Sequence, residues 1–294
     1  MQHIGFIGLG VMGGAMAKRL LEAGYKVTAY DIVERALQTV AKAGAQKASS
    51  LQEVAQNGEV IIGMLPTPDV TRQVFLGEQG LLNLVRPGSI VIDMSTSSPL
   101  LAREIYEKFG HRGAEVLDAP VSGGIAGASA GTLTIMVGGQ EKTLRAVRSV
   151  LECLGKKIFY VGPAGSGHTI KLVNNMLFAV IMSATSEAMV LGLKAGLEPT
   201  VLREIINASS GRSYAMDIKV RDFVLPRNFE PGFATALQIK DMDLALQMGK
   251  DLHTPLVMAN LVRQFYQALL AAGKGDKDTS IIYEIFEKFM DQLP

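Results

Sequence analysis

Residues 3–13 of the chain read HIGFIGLGVMG, and this stretch decides the fold of the first half. Residues 3–8 have the short apolar character of a β-strand, and residues 12–23 have the apolar spacing of a helix. Between them lies GLGVMG, a match to the glycine pattern G-x-G-x-x-G. A second predicted strand, residues 26–31, ends at Asp31, about 20 residues beyond the first glycine. Strand, glycine loop, helix and acidic residue together indicate a dinucleotide-binding unit.

Each glycine of the loop has a mechanical role in that interpretation. Gly8 permits the tight turn, Gly10 lets the backbone approach a pyrophosphate, and Gly13 lets the helix and strand pack closely. The pyrophosphate is then expected at the free N–H groups of the helix N-terminus, where the helix dipole favours an anion. The loop residues predicted to bind the cofactor are Gly8, Leu9, Gly10, Val11, Met12 and Gly13.

Asp31 predicts which nicotinamide cofactor the unit prefers. A carboxylate at this position accepts hydrogen bonds from ribose hydroxyls and repels a 2′-phosphate. Ile32 and Val33 follow it, and the nearest cation is Arg35. The sequence therefore predicts NAD in preference to NADP.

The rest of the first half repeats the alternation of strand and helix. Further strands are predicted at residues 60–64, 89–93, 115–118, 133–138 and 158–161. Strands separated by helices require crossover connections, so we expect a largely parallel, doubly wound α/β sheet of the Rossmann type, covered on both faces. A Gly/Pro cluster at residues 162–167 interrupts the pattern. The predicted domains are residues 1–163, which bind NAD, and residues 164–294.

The second half shows helical periodicity only. Helices are predicted at residues 168–195, 199–208, 234–251, 255–272 and 279–289, without a strand candidate. We therefore expect an all-helical second domain that serves substrate binding and oligomerisation. Because the first helix is unusually long, the chain is expected to form a homo-oligomer, a dimer or a tetramer.

Composition excludes several function classes. The formal net charge is +1 with no run of like charges, which argues against a nucleic acid or an anionic membrane as partner. The single cysteine, Cys153, fits a reducing compartment, and the first residues lack the pattern of a signal peptide. The apolar stretch at residues 172–182 contains two asparagines and is too short to span a bilayer. A cytoplasmic protein is expected.

Loops at the carboxyl ends of the later strands supply candidate site residues, because these ends face the ligand crevice of an open α/β sheet. The loops at residues 64–68 and 93–97 are expected to line the cofactor. The loop at residues 118–124 offers a hydroxyl and unhindered N–H groups that suit a carboxylate, although Ser and Gly are also common in plain connections. The predicted residues are Leu65, Pro66 and Thr96 for the cofactor, and Ser122, Gly123 and Gly124 for the substrate.

Lys171 and Asn175 are four residues apart in the long predicted helix, so they project from one face. Lys171 is placed in the first turn, where the helix dipole and apolar neighbours would lower its pKa toward that of a general acid/base. The alternative is an ordinary solvated lysine. His168 is interpreted as structural. The four histidines lack a metal-ligand spacing, and no hydrolase or phosphoryl-transfer motif is present.

Three ordered motifs together resemble the signatures of the β-hydroxyacid dehydrogenase family: GLGVMG at 8–13, DAPVSGG at 118–124 and GSGHTIKLVNN at 165–175. The resemblance covers essentially the whole chain. It implies that Lys171 is the catalytic acid/base, Asn175 orients the substrate, and Ser122–Gly124 hold its carboxylate. By the same resemblance Thr96 contacts the cofactor, and Lys240 approaches cofactor and substrate.

The resemblance also suggests a substrate. Residues 207–213, NASSGRS, are more similar to the hydroxyisobutyrate enzymes than to the tartronate semialdehyde reductases. A 3-hydroxyisobutyrate-like acid is therefore predicted, with tartronate semialdehyde (2-hydroxy-3-oxopropionate), glyoxylate or succinic semialdehyde as alternatives. A 6-phosphogluconate dehydrogenase is disfavoured because that family has a larger helical domain. A non-catalytic NAD-binding sensor on the same fold is the alternative from another class.

Overall fold

The computed structural model describes residues 3–230 and 232–291 of the chain. The chain divides into two compact units, residues 1–171 and 172–294. This division falls inside a long helix, whereas the Gly/Pro cluster predicted a boundary after residue 163. The units are described one after the other.

The first unit consists of short strands alternating with helices. Its strands are β1 (His3–Ile7), β2 (Lys26–Tyr30), β3 (Gln46–Lys47), β4 (Val60–Gly63), β5 (Ile90–Asp93), β6 (Glu115–Asp118), β7 (Val121–Ser122), β8 (Leu133–Gly139) and β9 (Gly155–Gly162). Its helices are α1 (Val11–Glu22), α2 (Glu34–Ala41), α3 (Leu51–Asn57), α4 (Pro68–Leu76), α5 (Pro99–Gly110), α6 (Gly124–Ala130) and α7 (Glu141–Leu154), with one 3₁₀ turn at Leu81–Asn83.

The strands form one sheet in the order β3-β2-β1-β4-β5-β6-β8-β7, with β9 also paired to β8. Strands β1 to β6 pair in parallel, as predicted. Strand β8 instead runs antiparallel to β6 and β7. The strand order reverses between β1 and β4, so the glycine loop after β1 lies at the switch point where ligands bind in this fold class.

Both faces of the sheet are buried, which explains the continuous apolar runs. Ile4 and Phe6 of β1 pack into one core with α1 and α7, and Ile7 packs into the other with α3, α4 and α5. Since side chains alternate along a strand, neighbouring residues such as Ile61 and Ile62 enter opposite cores. The predicted doubly wound α/β domain is confirmed.

The second unit is helical and has its own core of buried methionines, aromatic and β-branched residues. Its helices are α8 (Ser166–Lys194, which begins in the first unit), α9 (Pro199–Asn207), α10 (Thr235–Asp251), α11 (Val257–Ala271) and α12 (Tyr283–Asp291), with a π-helical segment at Ala215–Val224 and a 3₁₀ turn at Thr279–Ile282. Within residues 172–230 and 232–291 the only β pairing is one bridge between Ala234 and Asp278. The all-helical prediction is confirmed, while the π-helical segment was not predicted.

Helix α8 corrects one premise about Lys171. The helix begins at Ser166, two residues before the predicted start, so Lys171 lies in its second turn. The dipole effect falls off within the first turn. The prediction that Lys171 lies in the first turn, where the helix dipole acts on it, was therefore wrong.

By length and composition α8 meets the criterion for a helix that crosses a membrane. Its most apolar stretch of 18 residues has a mean hydropathy of 1.8, and 39% of that stretch is buried within the chain. The core helix of a soluble protein meets the same criterion, so this feature is weak evidence for a membrane span.

Candidate active site

The glycine loop has the crowding that the motif predicts at its two ends. Gly8 has φ +88°, and a Cβ there would lie 2.3 Å from the carbonyl oxygen of Met64. A Cβ on Gly13 would lie 1.9 Å from the carbonyl oxygen of Gly8. Both contacts are with backbone, which cannot move aside as a flexible side chain could. Gly8 and Gly13 are therefore required by the fold itself.

Gly10 differs, because a Cβ there would meet nothing within 4 Å. Gly10 is the N-cap residue of α1, and no side chain caps the N–H groups of that helix. An open approach to an uncapped helix N-terminus is what a pyrophosphate needs. These residues fit a dinucleotide cofactor, and the fold alone does not account for the glycine at position 10.

Asp31 lies at the carboxyl end of β2 and joins the glycine loop to the next turn. One carboxylate oxygen accepts the N–H of Leu9 at 2.5 Å, and the other accepts the N–H of Val33 at 2.7 Å. The carboxylate is thereby held beside the loop, where a ribose would lie. Ile32 is 89% exposed, which leaves an apolar surface beside Asp31.

A groove of about 490 Å³ adjoins the loop and is formed by α1, α2 and α6. It begins at Gly10 and Val11 and includes Val33 and Arg35. Arg35, the cation nearest to Asp31 in the sequence, therefore lines the same groove as the glycine loop.

The two loops predicted to line the cofactor are joined by a buried hydrogen bond. The N–H of Leu65 donates to Oγ of Ser95 at 2.8 Å, and the N–H of Ser95 donates to Oδ1 of Asp93 at 3.0 Å. Leu65 is buried, Thr96 is half-buried and Pro66 is exposed. The structure thus brings Leu65 and the loop of Thr96 together at the carboxyl ends of β4 and β5.

The predicted carboxylate loop combines a strand end with an unusual backbone. Ser122 ends β7 and is half-buried. Gly123 has φ +132° and Gly124 has φ +61°, and both are exposed. Residues that carry a side chain rarely adopt these backbone angles. A Cβ on Gly124 would meet nothing within 4 Å, and no side chain caps the N–H groups at the start of α6.

A buried cluster of two carboxylates and a histidine lies at the start of α8. Nε2 of His168 is 3.2 Å from Oδ2 of Asp93. Asp118 accepts the N–H of Gly165 at 2.8 Å through Oδ1 and the N–H of His168 at 3.0 Å through Oδ2. His168 is fully buried, and Asp93 and Asp118 are each 2% exposed.

The two carboxyls of this cluster have opposite pKa shifts. Burial disfavours the charged form of Asp93, but hydrogen bonds from His168 and Ser95 outweigh it and lower the pKa of Asp93. Burial raises the pKa of Asp118, against the attraction of His168 and the two backbone hydrogen bonds. The environments therefore favour the charged form of Asp93 more than that of Asp118.

Lys171 and Asn175 lie one turn apart on α8 and are 7% and 6% exposed. The alternative of a solvated surface lysine is therefore wrong. Burial of a lysine is rare unless the site uses or pairs it.

Asn175 belongs to a polar cluster in the second unit. Its Nδ2 donates to Oδ2 of Asp241 at 2.6 Å, and Oδ1 of Asp241 is 2.8 Å from Nζ of Lys240. Nε2 of Gln238 donates to the main-chain oxygen of Asn175 at 3.1 Å. The structure thus joins the two predicted residues Asn175 and Lys240 through one buried carboxylate.

Sequence reasoning gave no role to the carboxylates that organise these sites. Asp93 and Asp118 end predicted strands and Asp241 follows Lys240, but the residues they meet in the fold, Gly165, His168 and Asn175, are 47 to 75 residues away in the chain. An acidic residue at the end of an otherwise apolar strand was the available signal. Among the described residues, no group of three or more His, Cys, Asp or Glu side chains is arranged to hold a metal ion.

Comparison with known families assigns both halves of the chain. Residues 3–162 match the NAD-binding domain of 6-phosphogluconate dehydrogenase, and residues 165–286 match the NAD-binding domain of NADP-dependent 3-hydroxyisobutyrate dehydrogenase.

Individual relatives match over nearly the full length. The chain is 41% identical to 2-(hydroxymethyl)glutarate dehydrogenase of Eubacterium barkeri, covering 97% of this chain and 95% of that protein. It is 39% identical to the NAD-dependent L-serine dehydrogenase of Pseudomonas aeruginosa, covering 99% and 100%. It is also 39% identical to the mitochondrial 3-hydroxyisobutyrate dehydrogenase of Mus musculus, covering 96% and 86%.

A solved structure agrees. The Mycobacterium tuberculosis 3-hydroxyisobutyrate dehydrogenase with L-serine has a TM-score of 0.90 at 37% identity, covering 97% of this chain and 99% of that one. Fold and site define a nicotinamide-dependent oxidoreductase. The chain belongs to the β-hydroxyacid dehydrogenase family and is a 3-hydroxy acid dehydrogenase.

Proposed function

We propose that this enzyme transfers a hydride between NAD and the β-carbon of a 3-hydroxyisobutyrate-like 3-hydroxy acid, with Lys171 as the acid/base. The observation that carries the proposal is the burial of Lys171 and Asn175 one turn apart on α8. A buried amine and a buried amide on one helix face can exchange a proton with a hydroxyl and orient it.

The names of the relatives support one substrate pattern. 3-Hydroxyisobutyrate, L-serine and 2-(hydroxymethyl)glutarate each carry a hydroxymethyl group and a carboxylate on the same carbon. They differ in the third substituent of that carbon, which is a methyl, an ammonium or a carboxyethyl group. We therefore expect the shared part to be recognised by Ser122, Gly123 and Gly124 through the carboxylate, and by Asn175 and Lys240 near the hydroxyl.

The chemical step assigns one task to each residue. Lys171, acting as the base, accepts the proton of the C3 hydroxyl while the C3 hydrogen leaves as hydride, so the alcohol becomes an aldehyde. The nicotinamide, when bound, supplies the hydride acceptor. Asn175, held by Asp241, fixes the orientation of the hydroxyl, and the Ser122–Gly124 loop fixes its distance through the carboxylate.

We further propose that NAD is preferred to NADP. The carboxylate of Asp31 supports this preference, because it is held at the loop by the N–H groups of Leu9 and Val33 and would repel a 2′-phosphate. Arg35 in the adjoining groove acts in the opposite direction. A preference for NAD that is not absolute follows from these two charges.

We also propose a cytoplasmic homo-oligomer, a dimer or a tetramer, without a nucleic acid or membrane partner. Leu177 and Leu191 of α8 are 53% and 63% exposed in the single chain. This exposed apolar surface supports association, because a second copy of the chain would bury it. The single cysteine, Cys153, supports a reducing compartment.

The test is turnover by the wild type and by Lys171→Ala. NADH or NADPH formation is measured with 3-hydroxyisobutyrate, L-serine, 2-(hydroxymethyl)glutarate, glycerate and threonate, and tartronate semialdehyde is tested in reverse. 4-Hydroxybutyrate, whose hydroxyl is one carbon further away, is the matched control. We expect turnover with an acid of the shared pattern, and a loss of about 10²-fold or more in Lys171→Ala with NADH binding retained.

Near-normal turnover by Lys171→Ala would remove this residue from the mechanism. Higher kcat/KM with L-serine than with 3-hydroxyisobutyrate would assign the ammonium-bearing substrate, which the serine dehydrogenase relative favours as the second candidate. Turnover with 4-hydroxybutyrate at a similar rate would contradict the shared pattern.

A further inference from the structure

Buried hydrogen bonds connect the start of α8 to both loops that line the proposed cofactor site. They run from His168 to Asp93, from Asp93 to the N–H of Ser95, and from Oγ of Ser95 to the N–H of Leu65. The four residues are between 0% and 8% exposed. All of them belong to the first unit, so this connection lies within one compact body.

Asp118 holds the same helix start to the neighbouring strand. It accepts the N–H groups of Gly165 and His168, which lie at the N-terminal end of α8. The backbone is also in close contact there. A Cβ on Gly167 would lie 2.6 Å from the carbonyl oxygen of Asp118, and a Cβ on Gly138 would lie 2.5 Å from its Oδ1. Helix α8 is thus docked directly on β6 and β8.

This docking makes the His168–Asp93 contact a second and separate attachment. Asp118 holds the backbone of α8, whereas the side chain of His168 attaches it to Asp93 at the end of β5, where the next loop begins. That loop contains Thr96, and Ser95 extends the connection to Leu65 after β4. Replacing buried polar pairs by apolar packing is often neutral or stabilising. Stability of the helix start alone therefore does not account for this arrangement.

The place of Lys171 follows from the place of His168. They are three residues apart on one continuous helix, so they lie on adjacent positions of one face. A helix turn is stiff, and a shift of His168 moves Lys171 with it. A misplacement of 1 Å in an active site can cost about 10²-fold in rate.

We propose that His168, Asp93 and Ser95 are positioning residues, which fix Lys171 relative to the loops of Leu65 and Thr96. The proposal rests on the acid/base role of Lys171 given above. Its consequence is that loss of the connection slows hydride transfer, whereas cofactor binding at the glycine loop is unchanged.

The experiment compares His168→Leu with His168→Gln. Leucine has a similar volume but no donor for Asp93, and glutamine retains one in its amide. Each variant is titrated with NADH to count folded sites and measure Kd. Turnover per site is then measured with 3-hydroxyisobutyrate, unlabelled and deuterated at C3, or with L-serine labelled at C3 if the substrate panel selects it.

For His168→Leu we expect kcat per site to fall about 10- to 100-fold, with the Kd for NADH within about twofold of the wild type. The isotope effect on kcat should rise, because hydride transfer becomes more rate-limiting. His168→Gln should recover most of the lost kcat. A purely structural role would lower the number of NADH-binding sites and leave the isotope effect of each site unchanged.

Ser95→Ala and Ser95→Thr form a second pair that removes or retains a single hydroxyl. Ser95→Ala breaks the hydrogen bond to Leu65, and we expect about a tenfold loss of kcat with a raised isotope effect. Ser95→Thr should stay near the wild type. If His168→Leu does not fold, the two Ser95 variants test the positioning role in its place.

Wild-type kcat per site and an unchanged isotope effect in His168→Leu, or in Ser95→Ala if only that pair folds, would overturn the positioning role. Lys171→Ala is measured alongside. An inactive Lys171→Ala with a normal His168→Leu refutes positioning only, whereas an active Lys171→Ala refutes the acid/base role on which positioning rests.

Discussion

Substitution of Gly10 by alanine separates the binding role of the glycine loop from its folding role. Gly10 has φ −56°, an angle open to alanine, and its Cβ would meet nothing within 4 Å. Its neighbour in the motif, Gly13, has no such space, since a Cβ there would lie 1.9 Å from a backbone oxygen. Gly10→Ala and Gly13→Ala therefore make the same chemical change in opposite surroundings.

The magnitudes follow from these contacts. At Gly10 the reduced chain entropy of the unfolded state contributes about 0.4 to 1 kcal/mol of stability, and the poorer N-cap removes about as much. The net change in the free energy of unfolding should stay within about 1 kcal/mol, a Tm shift of no more than about 4 °C. At Gly13 the clash should cost about 1 to 3 kcal/mol or more.

The affinity for the cofactor, in contrast, should fall in Gly10→Ala. A Cβ on Gly10 occupies the space through which a pyrophosphate reaches the N–H groups of α1. Loss of one hydrogen bond to a charged group costs about 1.5 to 3 kcal/mol. The Kd for NADH should therefore rise about 10- to 150-fold in Gly10→Ala.

The assay is thermal unfolding without cofactor together with NADH titration by fluorescence. Unchanged NADH affinity in Gly10→Ala would refute the assignment of this loop to the pyrophosphate. A Tm loss in Gly10→Ala as large as that in Gly13→Ala would refute the argument from space.

Three further predictions concern other parts of the chain. Asp31→Asn should raise the Kd for NAD about tenfold and lower that for NADP, because the carboxylate that repels a 2′-phosphate is gone; an unchanged ratio of the two Kd values would contradict this role. Lys219→Met removes the cation 2.7 Å from the fully buried carboxylate of Asp278, which keeps only its hydrogen bonds from Gly232, Phe233 and Ser280. Urea unfolding should then show a loss of about 3 to 5 kcal/mol, and a loss below about 1 kcal/mol would rule out a charged pair. Arg72 holds the pKa of Glu104 at about 2, with help from Lys108. Because this pKa is lowered on folding, the stabilisation is present above the unfolded value near 4.5 and is lost as the pH falls toward 2. Arg72 is about half exposed, so Arg72→Ala should cost less than about 1 kcal/mol at pH 7, and a difference that grows on acidification would contradict the assignment.

The local sequence pattern was sufficient to predict an element wherever the residues that determine it lie close together in the chain. The strand at residues 115–118 was predicted with its observed ends, and most other elements of the first unit that were predicted lie within one to three residues of their observed bounds. The side chains of a buried parallel strand are apolar on both faces, and helices repeat every 3.6 residues, so both signals are local. Lys171 and Asn175 were predicted as site residues from a signal of the same local kind, their spacing on one helix face.

The direction of β8 shows what local pattern leaves open. Its apolar residues are equally suited to a parallel or an antiparallel neighbour, and pairing with β6 and β7 decides that it runs antiparallel to both. The π-helical segment at residues 215–224 likewise has an ordinary helical composition. In both cases the choice depends on surfaces contributed by distant parts of the chain.

By itself the sequence determined the alternation of strand and helix, the glycine loop with Asp31, and the helix that carries Lys171 and Asn175. Only the tertiary structure decided which buried polar groups meet: His168 with Asp93 across 75 residues, Leu65 with Ser95 across 30, and Asn175 with Asp241 across 66. The physical reason is that burial obliges each polar group to find a partner, but the identity of the partner depends on which strand and helix ends the fold brings together.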